Sequence, residues 1–542
     1  MTFPATHEVF NQVPDLVPYP AGDDLALLEG LRREGAAWAE DDVRALGVRA
    51  GGVDAQDRGR LADEYPPVLH THDRYGNRID EVEFHPAWHD LMRVAVENGL
   101  HAAPWRDDRP GAHVARAAKF YVWGQADAGH MCPISMTYAA VPALRHAPDL
   151  AAVYEPLLAA PHYDFGLREP STKRGLIAGM SMTEKQGGSD VRANTTAATR
   201  NADGTYTIVG HKWFTSAPMS DLFLTLANTA AGPTCFLLPR VLPDGTRNRI
   251  HLQRLKNKLG NKSNASSEIE YEGATGWLVG EEGRGVGTII EMVNMTRLDC
   301  VIGSATGMRA ATLRAVHHAR HRSAFGALLV DQPLMRNVLA DLVVETEAAT
   351  TMMMRLAGAT DRSAGDPQEA ALRRIALAVT KYWVCKRAPA HSAEALECLG
   401  GNGYVEDSGM PRLYREAPLM SVWEGSGNVA ALDALRAMVR QPDTVEAFFG
   451  ELELARGADS RLDDAIARVG KELADLENVE YRARRVVELM ALVLQGAQLV
   501  RHGHPAVADA FCASRLDRDW GIALGTLPVG VDTAAVLARI GG

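Results

Sequence analysis

Met180-Ser181-Met182-Thr183-Glu184-Lys185-Gln186-Gly187-Gly188-Ser189-Asp190 is the stretch on which the reading of this chain turns. It follows the apolar run Leu176-Ile177-Ala178 and precedes strand-like sequence. Thr183 and Ser189 supply hydroxyls, and Gly187 and Gly188 let backbone N–H groups come close to a ligand. Such a loop suits an anionic or heteroaromatic ligand, although by itself the same composition also makes an ordinary turn.

Outward from this loop the character of the chain differs on its two sides. Residues 1–19 carry three prolines and no periodicity, as expected of an extended arm. Leu25, Leu27, Leu28, Leu31, Ala37 and Trp38 then recur at helical spacing. The pattern returns at 88–97, 113–124 and 134–144, punctuated by Pro104 and Pro133, so residues 1–177 read as an arm and a helical domain. Residues 178–284 are β-rich: Tyr206-Thr207-Ile208-Val209-Gly210, Leu222-Phe223-Leu224-Thr225-Leu226, 234–238 and Glu268-Ile269-Glu270-Tyr271 alternate with Asp-Gly turns. This is expected to be a β-barrel or sandwich.

Helical periodicity resumes from Gly287. Ile289, Met292, Ile302 and Met308 mark one helix; Val338, Leu339, Leu342 and Val343 a second; Ile375, Val379 and Val384 a third; 391–399 opens a fourth. Long helices with short connections predict a four-helix bundle over 285–441. A fresh start at Pro442 leaves 442–542 as a further helical domain. Gly283-Arg284-Gly285-Val286-Gly287 lacks the strand-to-helix unit of a dinucleotide fold and reads as a turn before a helix.

A chain of 542 residues exceeds one core. Hydrophobic content of 46% and charged content of 23% are those of a soluble globular protein, and a net charge of −11 argues against a general nucleic-acid coat. The six cysteines form no C-x-x-C pair and sit in apolar segments, as reduced buried thiols in a cytoplasm would. No signal peptide opens the chain, and no apolar run approaches the ~18 residues of a membrane span. His317, His318 and His321 share a helical face but lack a carboxylate or cysteine partner nearby, so a solvated face is expected and no metal site.

The loop is followed in order by Trp213-Phe214-Thr215, Arg322-Ser323-Ala324-Phe325-Gly326, Leu399-Gly400-Gly401-Asn402-Gly403-Tyr404 and Trp423-Glu424-Gly425-Ser426. This set, spanning about 176–438, resembles the acyl-CoA dehydrogenase flavoproteins. The wording of 183–190, the N-terminal His7-Glu8-Val9-Phe10-Asn11-Gln12 and the additional C-terminal region are similar to the AidB-type branch, which is tied to the DNA alkylation response.

The resemblance implies a multidomain α+β fold of N-terminal helical domain, β-barrel or sandwich, four-helix bundle and extra helical domain, a homotetramer, and FAD as cofactor. It assigns Met182, Thr183, Gly188, Ser189, Trp213, Phe214, Thr215 and Ser216 to the flavin, with Ser426, Gly427 and Asn428 at its rim. Arg322, Phe325, Gly400 and Gly401 match residues that reach the FAD of a neighbouring subunit. Glu424 matches the base that removes the α-proton of the thioester, while Thr296 occupies the position where some relatives keep that base instead. Arg297 and Trp423 fall on the substrate side, where Trp423 replaces the usual tyrosine and Lys185-Gln186 replaces a proline-containing turn. A bulkier indole there would narrow the acyl pocket and disfavour an ordinary fatty acyl-CoA, and the resemblance itself implies a short or branched acyl-CoA such as isovaleryl-CoA as substrate.

The alternative is a flavoprotein that binds duplex DNA, protecting it or inactivating alkylating agents, with little dehydrogenase activity. Arg436, Arg440, Arg482 and Arg485 would then be the DNA contacts, although residues 444–542 hold 11 Lys/Arg against 15 Asp/Glu, a balance of −4.

Overall fold

The computed structural model describes residues 6–475, 477–519 and 521–541. Its contacts divide the chain into two compact units. One comprises Asp54–Gly303 with Val422–Val429; the other comprises Met1–Val53, Ser304–Ser421 and Ala430–Gly542. This division cuts across the four segments read from sequence, because the first helices cluster with the bundle.

Among the described residues, the first unit contains every strand longer than two residues. Strands β1 (Val68–His72) and β2 (Arg78–Glu83) form an antiparallel hairpin inside a region that reads as mostly helical. The turn is made by Asp73, which accepts hydrogen bonds from the Tyr75 and Asn77 amides, with Gly76 at φ +85°. Its sequence signal, Tyr75-Gly76-Asn77 between short alternating runs, is weak because one strand has no fully buried side chain.

The β module holds β3 (Ala178–Ser181), β4 (Ala197–Arg200), β5 (Tyr206–Ser216), β6 (Leu222–Thr229), β7 (Gly232–Pro239), β8 (Ile250–Leu255) and β9 (Ser266–Val279). The pairing runs β6–β4–β5–β9–β7 and returns from β7 to β6, so the sheet closes on itself. β3 lies parallel to β6, and β8 adds to β9. β6 is paired through three neighbours, and its run Leu222, Phe223, Leu224, Leu226 is buried throughout, as the lack of alternation in that run requires.

Helices Pro86–Glu97, Ala112–Trp123, Met131–Leu144 and Pro148–Leu158 belong to this unit, with nearly all of Val53–Glu64. Met131–Leu144 packs on β3, where Thr137 Oγ1 accepts a hydrogen bond from Ala178 N at 3.1 Å. The buried Arg116 guanidinium holds Asp299 by two bonds, tying Ala112–Trp123 to the start of the long helix Gly285–His321.

In the second unit, Pro333–Arg362 and Pro367–Glu397 pack on each other. The third and fourth helices read from sequence are one element here: Pro367–Glu397 runs through Pro389 without ending. Proline forfeits one backbone donor, but Val379 and Val384 before it and His391 after it stay buried, and that continuous face carries the helix across. His391 Nε2 lies 3.1 Å from Thr312 Oγ1 and 3.2 Å from Thr346 Oγ1. The remaining apolar helix is Gly427–Arg440, which buries Ala430, Ala431, Ala434 and Ala437.

Asp443–Glu453 and Val479–His502 pack onto Pro367–Glu397 and extend its core. Buried ion pairs connect these pieces: Arg355 reaches Glu369 and Glu451, and Arg539 reaches Glu29 and Glu347.

The histidine face is solvated in part: His321 is exposed, His318 is buried, and the half-buried His317 places Nε2 2.8 Å from the Pro14 carbonyl of the N-terminal arm. All six cysteines are buried and unpaired with one another. Among the described residues no helix is long and apolar enough to cross a membrane.

Candidate active site

At the end of β3 the chain turns into the 182–190 loop, and one buried acid shapes that turn. Glu184 is fully buried and accepts hydrogen bonds from Thr195 N (2.7 Å), Thr195 Oγ1 (3.0 Å), Thr196 N (3.2 Å) and Lys212 Nζ (2.9 Å). Burial alone would raise its pKa; the Thr195 amide, the Thr196 contact and the Lys212 ammonium outweigh it and hold the carboxyl well below the usual range. Gln186 Nε2 donates to Glu184 at 2.8 Å, and Asn194 Nδ2 to the Met182 carbonyl at 2.9 Å. The remainder of the loop, 185–190, is exposed. Gly188 has no room for a side chain, since a Cβ there would lie 2.5 Å from Thr183 Oγ1.

β5 runs beside this loop. Trp213 N donates to the Thr183 carbonyl at 2.8 Å, and Thr215 Oγ1 hydrogen-bonds Ser181 Oγ. A register shift between Lys212 and Thr215 re-aims this piece of strand. Trp213 is half-buried and Phe214 exposed, with Lys256 Nζ 3.3 Å from the Trp213 ring centroid and 4.6 Å from that of Phe214. Ser216 Oγ lies 3.3 Å from Ser266 Oγ.

Glu424 occupies the turn before the helix Gly427–Arg440, at φ +56°. A non-glycine residue in the left-handed region is strained and needs support. Arg297, itself buried, supplies it by donating from Nε to the Glu424 carbonyl at 2.9 Å. Gly425 follows at φ +99°, where a Cβ would meet Val429 at 2.9 Å and Arg297 Nη2 at 3.5 Å. Thr296 turns its hydroxyl back onto the Val293 carbonyl at 3.0 Å. Trp423 is half-buried beside the acid, and Ser426 and Asn428 are exposed around the buried Gly427.

Met182, Thr183, Gly188, Ser189, Trp213, Phe214, Thr215, Ser216, Arg297, Trp423, Glu424, Ser426, Gly427 and Asn428 therefore all belong to one unit, although 423–428 lie far along the chain from the rest. Arg322, Phe325, Gly400 and Gly401 belong to the second unit. There Arg322 Nη1 donates to the Asn11 carbonyl at 2.7 Å, and Phe325 is fully exposed at φ +52°. The four arginines read as DNA contacts do not present free charge as a group: Arg482 and Arg485 flank Glu472 at 2.5 and 2.9 Å, and Arg436 lies 3.7 Å from Asp433. Arg440 is exposed.

Sequence reasoning missed Glu184 and Lys212 as the pair that sets the loop. The available signal was an acid inside the loop followed by the hydroxyl-rich Asn194-Thr195-Thr196.

Comparison with known proteins identifies the family. Residues 11–165 match the adaptive response protein AidB N-terminal domain, 179–274 the acyl-CoA dehydrogenase middle domain, and 283–439 the acyl-CoA dehydrogenase C-terminal domain. The AidB protein of Escherichia coli (strain K12) is 45% identical over 530 residues, covering 96% of each chain. Acyl-CoA dehydrogenase family member 11 of Caenorhabditis elegans is 30% identical over 94% of this chain and 87% of its own. The crystal structure of ACDH-11 from Caenorhabditis elegans in complex with C11-CoA superposes with a TM-score of 0.85 at 28% identity, covering 95% of this chain and 94% of that one. The chain belongs to the acyl-CoA dehydrogenase family, in its AidB-like branch.

Proposed function

We propose that this chain is an FAD-dependent enzyme that removes hydrogen across Cα–Cβ of a short or branched acyl-CoA, with Glu424 as the base. The observation that carries the reading is Glu424 itself: an acid held at a strained backbone angle by a buried arginine, in the unit that also holds the 182–190 loop.

The loop fits a flavin. Gly188 leaves no side chain between its backbone and Thr183, and Ser189 and the neighbouring amides are exposed to bind an anionic or heteroaromatic group. Thr183, Gly188, Ser189, Trp213 and Thr215 would hold the cofactor, with Met182, Phe214, Ser216 and the rim residues Ser426, Gly427 and Asn428 around it. When bound, FAD supplies a two-electron acceptor for the hydride leaving Cβ. The rest of the chemistry is the protein's own. The Glu424 carboxylate takes the α-proton, Arg297 fixes the turn that presents it, and Trp423 limits the width of the acyl group beside it. Arg322, Phe325, Gly400 and Gly401 lie in the other unit and serve the cofactor of a neighbouring copy in this reading, which therefore includes a homotetramer.

The test is Glu424→Gln, which keeps size and hydrogen bonding but cannot accept the proton. Anaerobic flavin bleaching by isovaleryl-CoA should slow by about 10²–10⁴-fold while the protein stays yellow. Equal bleaching rates would show the base to be elsewhere.

The alternative, duplex-DNA binding, finds no support in local charge, because Glu472 sits between Arg482 and Arg485. Salt-resistant retention on duplex DNA with no bleaching by any acyl-CoA would reverse that preference.

A further inference from the structure

In the same unit as Glu424, the segment 127–132 meets the turn 261–266 on a patch of buried polar groups. The approach is close: a Cβ on Gly129 would fall 1.9 Å from Ser263 Oγ and 3.1 Å from Asn264 N. Asp127 accepts from Ser263 Oγ at 3.0 Å and from His130 N at 2.9 Å, and its Oδ2 lies 2.9 Å from His130 Nδ1. Lys258 Nζ donates to the Asn264 carbonyl at 2.5 Å and to Ser266 Oγ at 3.2 Å, and Ser266 in turn lies 3.3 Å from Ser216, the residue after Thr215 on β5. The charges of Asp127 and Lys258 are thus already engaged.

Two polar groups in the patch are not. Asn264 is 1% exposed, and its amide nitrogen and oxygen meet no nitrogen or oxygen partner, having only the weakly polar Cys132 thiol beside them. His130 is fully buried, and its Nε2 makes none. The Cys132 thiol lies against Ser216 and Asn264 and feels the charges of Lys258 and Glu424; burial pushes it up to about 12, so it is a neutral, weakly donating wall and no nucleophile. Buried amides in folded proteins are hydrogen-bonded, so an exception calls for a partner, and a ligand group is one that can supply it.

We propose that this patch receives the distal part of the acyl group and selects an uncharged, hydroxylated acyl thioester over a plain alkyl one, with Asn264 as the specificity-determining residue. The proposal rests on the acyl-CoA reading above. A hydroxyl both donates and accepts, which matches an amide oxygen and nitrogen together; an alkyl chain would leave Asn264 and His130 unsatisfied.

The test uses the flavin-loaded Glu424→Gln protein, which binds without turning over. Dissociation constants are measured calorimetrically and by the flavin spectral shift for butanoyl-CoA against 4-hydroxybutanoyl-CoA, and for hexanoyl-CoA against 6-hydroxyhexanoyl-CoA. In at least one pair the hydroxylated ester should bind about tenfold more tightly. Adding Asn264→Leu should bring the members of that pair within about twofold. The first comparison needs no change at Asn264, so it stands even where the leucine variant fails to fold. Alkyl esters binding as tightly in both pairs would overturn the proposal, as would a preference that survives Asn264→Leu in a folded, yellow protein. Failure of all four esters to bind would remove the acyl-CoA reading and this inference with it, whereas an alkyl preference removes the inference alone.

Discussion

Glu184 and Lys212 show how much of the site rests on groups that never touch a ligand. Both side chains are fully buried, and a carboxylate in that position is tolerable only because five donors surround it. Glu184→Gln would leave the Lys212 ammonium without its countercharge and should destabilise the protein by about 3 kcal/mol, seen as a lower urea midpoint and earlier flavin loss. Glu184→Gln with Lys212→Met should recover part of that loss, because no charge is then left buried. The pH dependence has a definite sign. The folded-state pKa of Glu184 is depressed, so its contribution is fully present above the unfolded carboxyl value of about 4.3 and disappears as pH falls through the lower folded value. Acid titration should therefore narrow the gap between wild type and Glu184→Gln. A gap independent of pH would mean that shape, and not charge, makes the loop. Glu424 is the opposite case: its backbone is strained at φ +56°, and the strain is borne by Arg297.

At the scale of the element, the 182–190 loop is a piece of backbone whose glycines matter for different reasons. Gly187 sits at φ +142° in open space, whereas Gly188 is limited by the Thr183 side chain 2.5 Å from where its Cβ would be. Gly188→Ala must displace Thr183, a short branched side chain with little freedom to yield. The flavin-to-protein ratio after gel filtration should fall several-fold while the thermal midpoint changes little, since the residue is exposed. An unchanged ratio would detach Gly188 from the cofactor. β5, which runs beside this loop, was legible from its β-rich run after an Asp-Gly turn, and the loop itself from its hydroxyls and glycines, whereas the short β3 read only as an apolar run. Two elements were not legible. The β1–β2 hairpin has a short, half-exposed pattern that helical neighbours swamp, and the helix through Pro389 looks like two helices because proline is a local stop signal overridden only by burial on both sides. The Glu184–Lys212 pair was hard to read for another reason: the partners lie 28 residues apart and meet only in the folded chain, and the hydroxyl-rich Asn194-Thr195-Thr196 was the one local hint of a buried acid.

At the scale of the whole molecule, cofactor binding and assembly are expected to be one equilibrium. The residues read as flavin contacts fall in both units, and Arg322 in the second is read as serving another copy's FAD. That unit also exposes Phe10, Phe325, Leu334 and Tyr404, large apolar side chains that a chain remaining alone would leave in water. If copies associate through such residues, anything that binds only the assembled form shifts the balance toward it. Light scattering of the yellow protein should then give a mass near a fourfold multiple of 58.6 kDa. Phe325→Asp, placed on a side chain with no packing role within its own chain, should lower that mass and release FAD together, with added FAD driving partial reassembly. Arg322→Ala should weaken FAD retention by roughly ten- to a hundredfold, the worth of a charge-assisted contact. The two variants separate the possibilities. A Phe325→Asp monomer that keeps its flavin would place the whole cofactor site within one chain. Arg322, which already holds the Asn11 carbonyl of its own N-terminal arm at 2.7 Å, would then be a structural clamp on that arm and nothing more.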